Sequence, residues 1–378
     1  MPSEIIIFDK CSQSGKRILY RSLNLIYMRF TFYPLILLIA VYIAGCSKNS
    51  TPKPTPPQTK PTADTALAAV WPTDADAYFV GTTSETNLSN IQVATIWKNG
   101  VATPLPNSES TLDSEADAIA VSGSDIYVIG KIHVGTSYTS GYWKNGVFSA
   151  LASGGSNALA IVVNGSDVYI AGNVGNNAAY WKNGTLNLIA RQDSNTFYQA
   201  NSIAVNGNDV YLAGFSGNAI TGGTKAIVWK NGVVAALPDN NSTNAVVNAV
   251  TVDGTDIYAV GYTSGGATLW KNGVITLLPV PSSVTSNSAD AIVINGSDVY
   301  IAGYAGGRAT TWKNGTATIL PFDEHGSSGF VSLAMDHNDL YVASGFDNLA
   351  NPIYWKNGVA YQFGKAVDVV HGIAIAPH

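Results

Sequence analysis

Seven positions of this 378-residue chain share one place in a repeated pattern, each just ahead of a short run of small and β-branched residues. They are Asp117, Leu159, Asn201, Asn248, Asp290, Val331 and His371, and five of the seven are polar within apolar surroundings. Carboxylate, amide and imidazole groups converging on one opening offer donors and acceptors to a cation, a sugar or a partner's backbone. The competing use is hydrogen bonding to water or neighbouring strands, which buried polar groups need whatever the function. Asp117, Asn201, Asn248, Asp290 and His371 are therefore the candidate ligand-binding residues.

Enzyme chemistry leaves little trace beside them. There is no G-x-S-x-G, no H-E-x-x-H and no phosphate loop, and the five histidines are scattered. Glycoside cleavage needs two carboxylates about 5–10 Å apart. Asp117 and Asp290 belong to units on opposed parts of a closed ring, which leaves Glu115, or Glu324 with Asp323, as candidates for such a pair. Sialidase-type S-x-D-x-G-x-x-W boxes are absent. No catalytic residue, metal ligand or cofactor is expected. A net charge of −5, with only 12% charged residues, gives no basic surface for nucleic acid.

The one covalent site legible in the chain is Cys46. Residues 30–44 (FTFYPLILLIAVYIA) form a charge-free apolar run behind Arg17, Arg21 and Arg29. Some 15 residues suit a signal-peptide core better than a spanning helix, which needs roughly 20. The run ends in Ile43-Ala44-Gly45-Cys46, which resembles the lipobox of bacterial lipoproteins. That resemblance implies cleavage before Cys46 and acylation of its thiol and new amino group. Residues 1–27 fit this picture poorly, and Met28 is the more ordinary start. Residues 46–65, rich in Pro, Thr and Lys, bury too little to offset ordering and read as an extended tether. Cys11 is the only other cysteine, so the body holds no disulfide and no cysteine-based metal site.

Residues 66–378 must position the candidate ring. Trp-Lys-Asn-Gly starts at Trp97, Trp143, Trp181, Trp229, Trp270, Trp312 and Trp355, at spacings of 38 to 48 residues. That is the size of a four-stranded propeller blade. Six units also carry an Asp-x-Tyr-x-x-Gly run, as at Asp125, Asp167 and Asp209, and the seventh reads Asp339-Leu-Tyr-Val-Ala-Ser-Gly; most are preceded by a run such as AIAV at 118–121. The unit thus reads as four strands. Strand A is the AIAV-type run and strand B the DVYIAG-type run. Strand C ends in Trp-Lys, and strand D follows Asn-Gly, which supplies the positive φ angles of a type I′ hairpin. Strands A and B are apolar almost throughout, as in a sheet covered on both faces.

The first unit has B, C and D strands but only a poor A-like stretch at 66–70, whereas residues 371–377 (HGIAIAP) form an A-type strand with nothing after it. The last strand is expected to complete the first blade and remove the open edges of the array. The fold class is thus all-β, a closed seven-bladed β-propeller. The units resemble Kelch-like and HAF-type (Trp-x-Asn-Gly) extracellular repeats over roughly residues 74–376, without the Kelch Gly-Gly pair or the WD40 signature. That resemblance implies the fold alone.

This topology gathers the short A–B and C–D turns at one end and the variable B–C and D–A loops at the other. Binding usually sits on variable loops held by a rigid scaffold. The richest such segments are 109–115 (ESTLDSE), 190–198 (ARQDSNTFY) and 322–325 (FDEH), with Lys131, His133, Arg308 and Asp347 beside them. The turn lysines are expected to pair with the Asp opening strand B, and the tryptophans to pack between blades. The expected molecule is a monomeric, non-catalytic lipoprotein of the cell envelope, at the outer membrane. It is held to the membrane by its lipid and binds an envelope protein or a glycan. A carbohydrate-active hydrolase or lyase at the channel mouth is the alternative.

Overall fold

The computed structural model describes residues 67–378 apart from 73, 86–90, 107–112, 152–154, 283, 285, 322–330, 346–351 and 366–367. The signal segment, Cys46, the tether, the loop residues 109–112 and 322–325, and Asp347 lie outside the described residues.

The repeats fold into seven antiparallel blades. In the second blade strand A is Ser114–Ser122, B is Asp125–Val134, C is Ser137–Lys144 and D is Val147–Ala150. The third (156–188), fourth (196–236), fifth (246–277) and sixth (287–319) repeat the same order. Each strand A contacts strand A of the next blade, so the seven line a closed ring. The first blade takes its innermost strand from the end of the chain. Val369–Pro377 pairs antiparallel with Ala75–Glu85, which continues through Ile91–Lys98 to Val101–Pro104.

The poor A-like stretch that precedes the first blade takes a different place. Leu67–Ala68 instead pairs in parallel with Val359–Gln362, the outer strand of the seventh blade, as a fifth strand. The chain then turns inward at Trp71, which stacks on Tyr354 at 5.4 Å and meets Phe79 and Phe363 edge-on. Tyr354 Oη accepts from Val70 N at 3.1 Å. Its hydroxyl also donates to Val70 O, at 2.5 Å. The closing seam therefore carries an aromatic cluster as well as strand pairing.

Packing between blades follows the repeat. All seven repeat tryptophans are at most 1% exposed. Trp181 packs against Tyr127 and Ile129 of the preceding blade, and Trp229 against Tyr169 and Ala171 of its own predecessor. Burying an indole contributes about 4 kcal/mol as an upper estimate. Where the preceding unit ends in Leu-Pro, the proline carbonyl also accepts the indole N–H. Trp143, Trp270, Trp312 and Trp355 reach Pro106, Pro238, Pro279 and Pro321 at 2.7–2.8 Å.

Strand B is covered on both faces, as its sequence requires, but strand A is only half-buried along much of its length. Its apolar side chains line the channel, so a continuous apolar run here marks one packed face and one lining face.

Candidate functional site

Six of the seven innermost strands break their register with strand B once, and the residue left over is the one the repeat alignment singles out. The bulged residues are Asp117, Leu159, Asn201, Asn248, Asp290 and His371. The cause is steric. Opposite each bulge, strand B carries a glycine (81, 130, 172, 214, 261 or 303) whose added Cβ would lie 1.8–2.1 Å from a backbone oxygen two residues before the bulged one. No side chain fits there, and an isolated glycine within a strand is the usual mark of such close approach. The seventh blade has Ser344 at this place. Among the described residues its strand A shows no register shift, and Val331 pairs directly with Ser344.

At three bulges the side chain reaches across to the next blade. Asn201 Nδ2 donates to Val247 O at 2.8 Å, Asn248 Nδ2 to Ala289 O at 3.0 Å, and His371 Nδ1 to Ala116 O at 2.9 Å. Each accepting carbonyl belongs to the residue just before the next bulge. Much of the polar ring is thus a set of stitches between blades, the bland use anticipated from sequence.

An ionised aspartate cannot make this stitch, and the two aspartates differ in how they are accommodated. Asp290 Oδ1 accepts from Ser288 Oγ at 2.8 Å and from Asn248 Nδ2 at 3.0 Å. Burial still pushes its pKa up to about 6, against the lowering by those two bonds. Asp117 meets no such donor among the described residues. Burial, then the neighbouring Glu115 carboxylate, push it up to about 7.

Around Asp117 the ring gathers further charge. Glu115 pairs with Lys131 across strands A and B, and Lys131 Nζ reaches Glu115 Oε2 at 2.6 Å. Burial opposes ionisation of Glu115, but the Lys131 contact outweighs it and holds the carboxyl below its ordinary range. His371 Nδ1, brought in by the closing strand, stands 3.9 Å from both Glu115 Oε1 and Asp117 Oδ1. Lys131 Nζ also lies 5.4 Å from the centre of the Tyr138 ring, which meets His133 edge-on at 4.9 Å. Sequence reasoning named Asp117, His371, Lys131 and His133 separately. Their convergence depends on strand pairing and on the closing seam.

Elsewhere on the variable end the charges are spent locally. Asp193 Oδ1 accepts from the Asn195 and Thr196 backbone at 2.8 Å. Arg191 Nη1 donates to Ser194 O at 3.1 Å and Thr196 O at 3.2 Å. The 190–198 loop therefore holds its own shape with the groups that marked it as a candidate.

At the short-turn end the same motif is built seven times. The Asn of every Trp-Lys-Asn-Gly hairpin takes a φ of 48–51° and its Gly 78–83°. In each unit the lysine lies 2.6–2.8 Å from the Asp that opens strand B. It also lies 4.8–5.6 Å from the strand-B Tyr ring. The Asn donates to the other oxygen of that Asp and accepts the N–H of the next residue, as Asn183 does with Asp167 and Val168. The lysine and then the asparagine hold Asp125, Asp167, Asp209, Asp256 and Asp298 below the ordinary carboxylate range. A second acid–histidine group, Asp74, Asp336 and His337, sits at this end. There His337 Nδ1 already bonds Asp336 Oδ1 at 2.8 Å, and Asp74 and His337 are exposed.

No family model matches the chain, and no curated protein does. Solved structures resemble it at low identity. The extracellular domain assigned to a one-component system of B. thetaiotaomicron matches at 14% identity over 68% of this chain and 36% of that one, with a TM-score of 0.42. This chain thus spans about a third of that domain. YCF48 bound to a D1 peptide matches at 12% identity, covering 73% and 94% of the two chains, with a TM-score of 0.43. A prolyl endopeptidase matches at 14% identity over 77% and 50%, with a TM-score of 0.46.

Proposed function

We propose that this chain is a non-catalytic binding module of the cell envelope, anchored through lipid on Cys46, that holds a protein or glycan partner on its variable-loop end. The observation that carries the reading is the uneven use of charge. The short-turn end pairs each repeat lysine with the aspartate of its own blade, while at the other mouth Glu115, Asp117, Lys131 and His371 from two blades share one place. Groups arranged to serve only the fold would be satisfied by matched donors, as Asp290 is by Ser288 and Asn248.

The hydrolase alternative gains no support from the geometry. Glu115 is engaged by Lys131, Asp290 is bonded by Ser288 and Asn248, and Asp117 and Asp290 belong to the second and sixth blades. Incubation with a broad polysaccharide panel should show no turnover. Turnover that disappears in Asp117→Asn would replace the binding reading with the hydrolase. Lipid anchoring is tested by metabolic labelling with an alkynyl fatty acid. Label should enter the native protein and be absent from Cys46→Ser; label retained in that variant refutes the anchor.

A further inference from the structure

We infer that Glu115, Asp117 and His371 bind one divalent transition-metal ion, of the Mn2+ or Zn2+ class, at the channel mouth where the first and second blades meet. The inference rests on the variable-loop end being the working end of the molecule. It names a three-residue set that spacing in the sequence could not assemble, because two donors lie on one strand and the third 254 residues later in the chain.

The geometry is already close to a coordination shell. The facing atoms Glu115 Oε1, Asp117 Oδ1 and His371 Nδ1 include two separations of 3.9 Å, and ligand atoms of the three residues all lie within 4.8 Å of one another. A point equidistant from three atoms so spaced is about 2.3–2.5 Å from each, a few tenths of an ångström beyond carboxylate and imidazole bonds to zinc. Small inward shifts of three side chains close that gap. The other oxygen of Glu115 stays with Lys131, so the lysine orients the carboxylate from behind without occupying the face that looks onto the histidine. Nδ1 donates to Ala116 O at 2.9 Å, and an entering ion replaces that proton, which leaves to solvent.

Asp117 supplies the second, independent observation. At the equivalent positions Asn201, Asn248 and His371 each donate to the next blade, and Asp290 is satisfied by two donors. Asp117 has neither arrangement: its side chain meets the Glu115 carboxyl, where burial and then the like charge oppose its ionisation, and 27% of its side-chain surface is exposed. Its nearest acidic neighbour, Glu115, repels it, and Lys131 can neutralise only one of the two carboxylates. A dication supplies the missing charge. Two carboxylates with one imidazole select an intermediate ion over Ca2+, which prefers six to eight oxygens.

The test is calorimetric titration of the full chain in detergent, freed of metal by chelator and dialysed, with Zn2+, Mn2+ and Ca2+ in turn. One equivalent of Zn2+ or Mn2+ should bind, and Asp117→Asn and His371→Gln should each weaken it at least tenfold. The glutamine keeps an amide donor for the Ala116 carbonyl, as Asn201 does at its own junction, so loss of binding there is not loss of fold. Asp290→Asn should bind as wild type does. No stoichiometric binding of either ion, wild-type affinity in both cluster variants, or a preference for Ca2+ would overturn the assignment. Partner capture at the variable end, read separately by photocrosslinking, distinguishes the two ideas. Capture without metal binding removes the metal site alone, and metal binding without capture removes the partner reading alone.

Discussion

The two ends of the ring are made from the same seven units but treat charge differently. At the short-turn end each repeat lysine reaches the aspartate of its own blade, so these pairs close within a blade. At the variable-loop end the polar residues of the bulges meet groups of adjoining blades, and the outcome depends on what each finds there. Asn201 and Asn248 find carbonyls, while Asp117 finds another carboxylate and a histidine. Repetition at the first end signals hardware of the fold, and departure from repetition at the second marks the place to look for binding.

That contrast breaks most readily at the bulges. Gly172→Ala would place a Cβ 1.8 Å from Asn157 O, so the bulge must flatten or the blade must shift. The expected cost is about 3 kcal/mol or more, seen as a melting temperature lower by several degrees. Ser344→Ala, at the one unit without a bulge, should cost a small fraction of this in the same measurement. Comparable losses at both sites would sever the link between glycine and bulge.

A smaller effect is expected at Asp290. Its folded pKa, about 6, lies above the ordinary 3.8, so the folded state binds the proton more tightly than the unfolded chain. The stabilisation is present below about pH 4 and is lost as pH rises through about 6. Asp290→Asn keeps an acceptor for Ser288 and Asn248 and has no charge to desolvate. The variant should therefore be more stable than wild type at pH 7, on the order of 1–2 kcal/mol, with the difference gone near pH 4. Thermal melts at the two pH values decide it, and a pH-independent difference would contradict the burial account. Least of all should change at the other end. Lys182→Ala removes an exposed ion pair, and its melting temperature should match wild type within error at low and at high salt.

Much of this fold is legible in the sequence because its signals are local. Trp-Lys-Asn-Gly fixes the C–D hairpin, and the Asp that opens strand B lies where the C-strand lysine must end. The unpaired A-type run at 371–377 also announces the closure that Val369–Pro377 makes. The bulges were within reach, since a glycine inside six apolar strands needs a reason and Ser344 breaks the series. What local pattern cannot supply is the seam. Leu67–Ala68 crosses to the seventh blade instead of entering the first, and Trp71 wedges among aromatics more than 280 residues away in the chain. The Glu115–Asp117–His371 group has the same origin: register sets its first two members and ring closure brings the third.

The claim that function resides at the variable-loop end is tested most directly by a matched pair of photocrosslinkers in the fourth blade. Ile220, in the B–C loop, is 74% exposed, and Val233, after the Asn-Gly hairpin at the opposite end, is 73% exposed. Accessibility is equal, so only the choice of face differs. With a benzophenone amino acid at each site in living cells, position 220 should yield a discrete covalent adduct and position 233 none. An adduct from position 233 alone would contradict the account and move the binding surface to the ring of exposed valines beside the repeated turns.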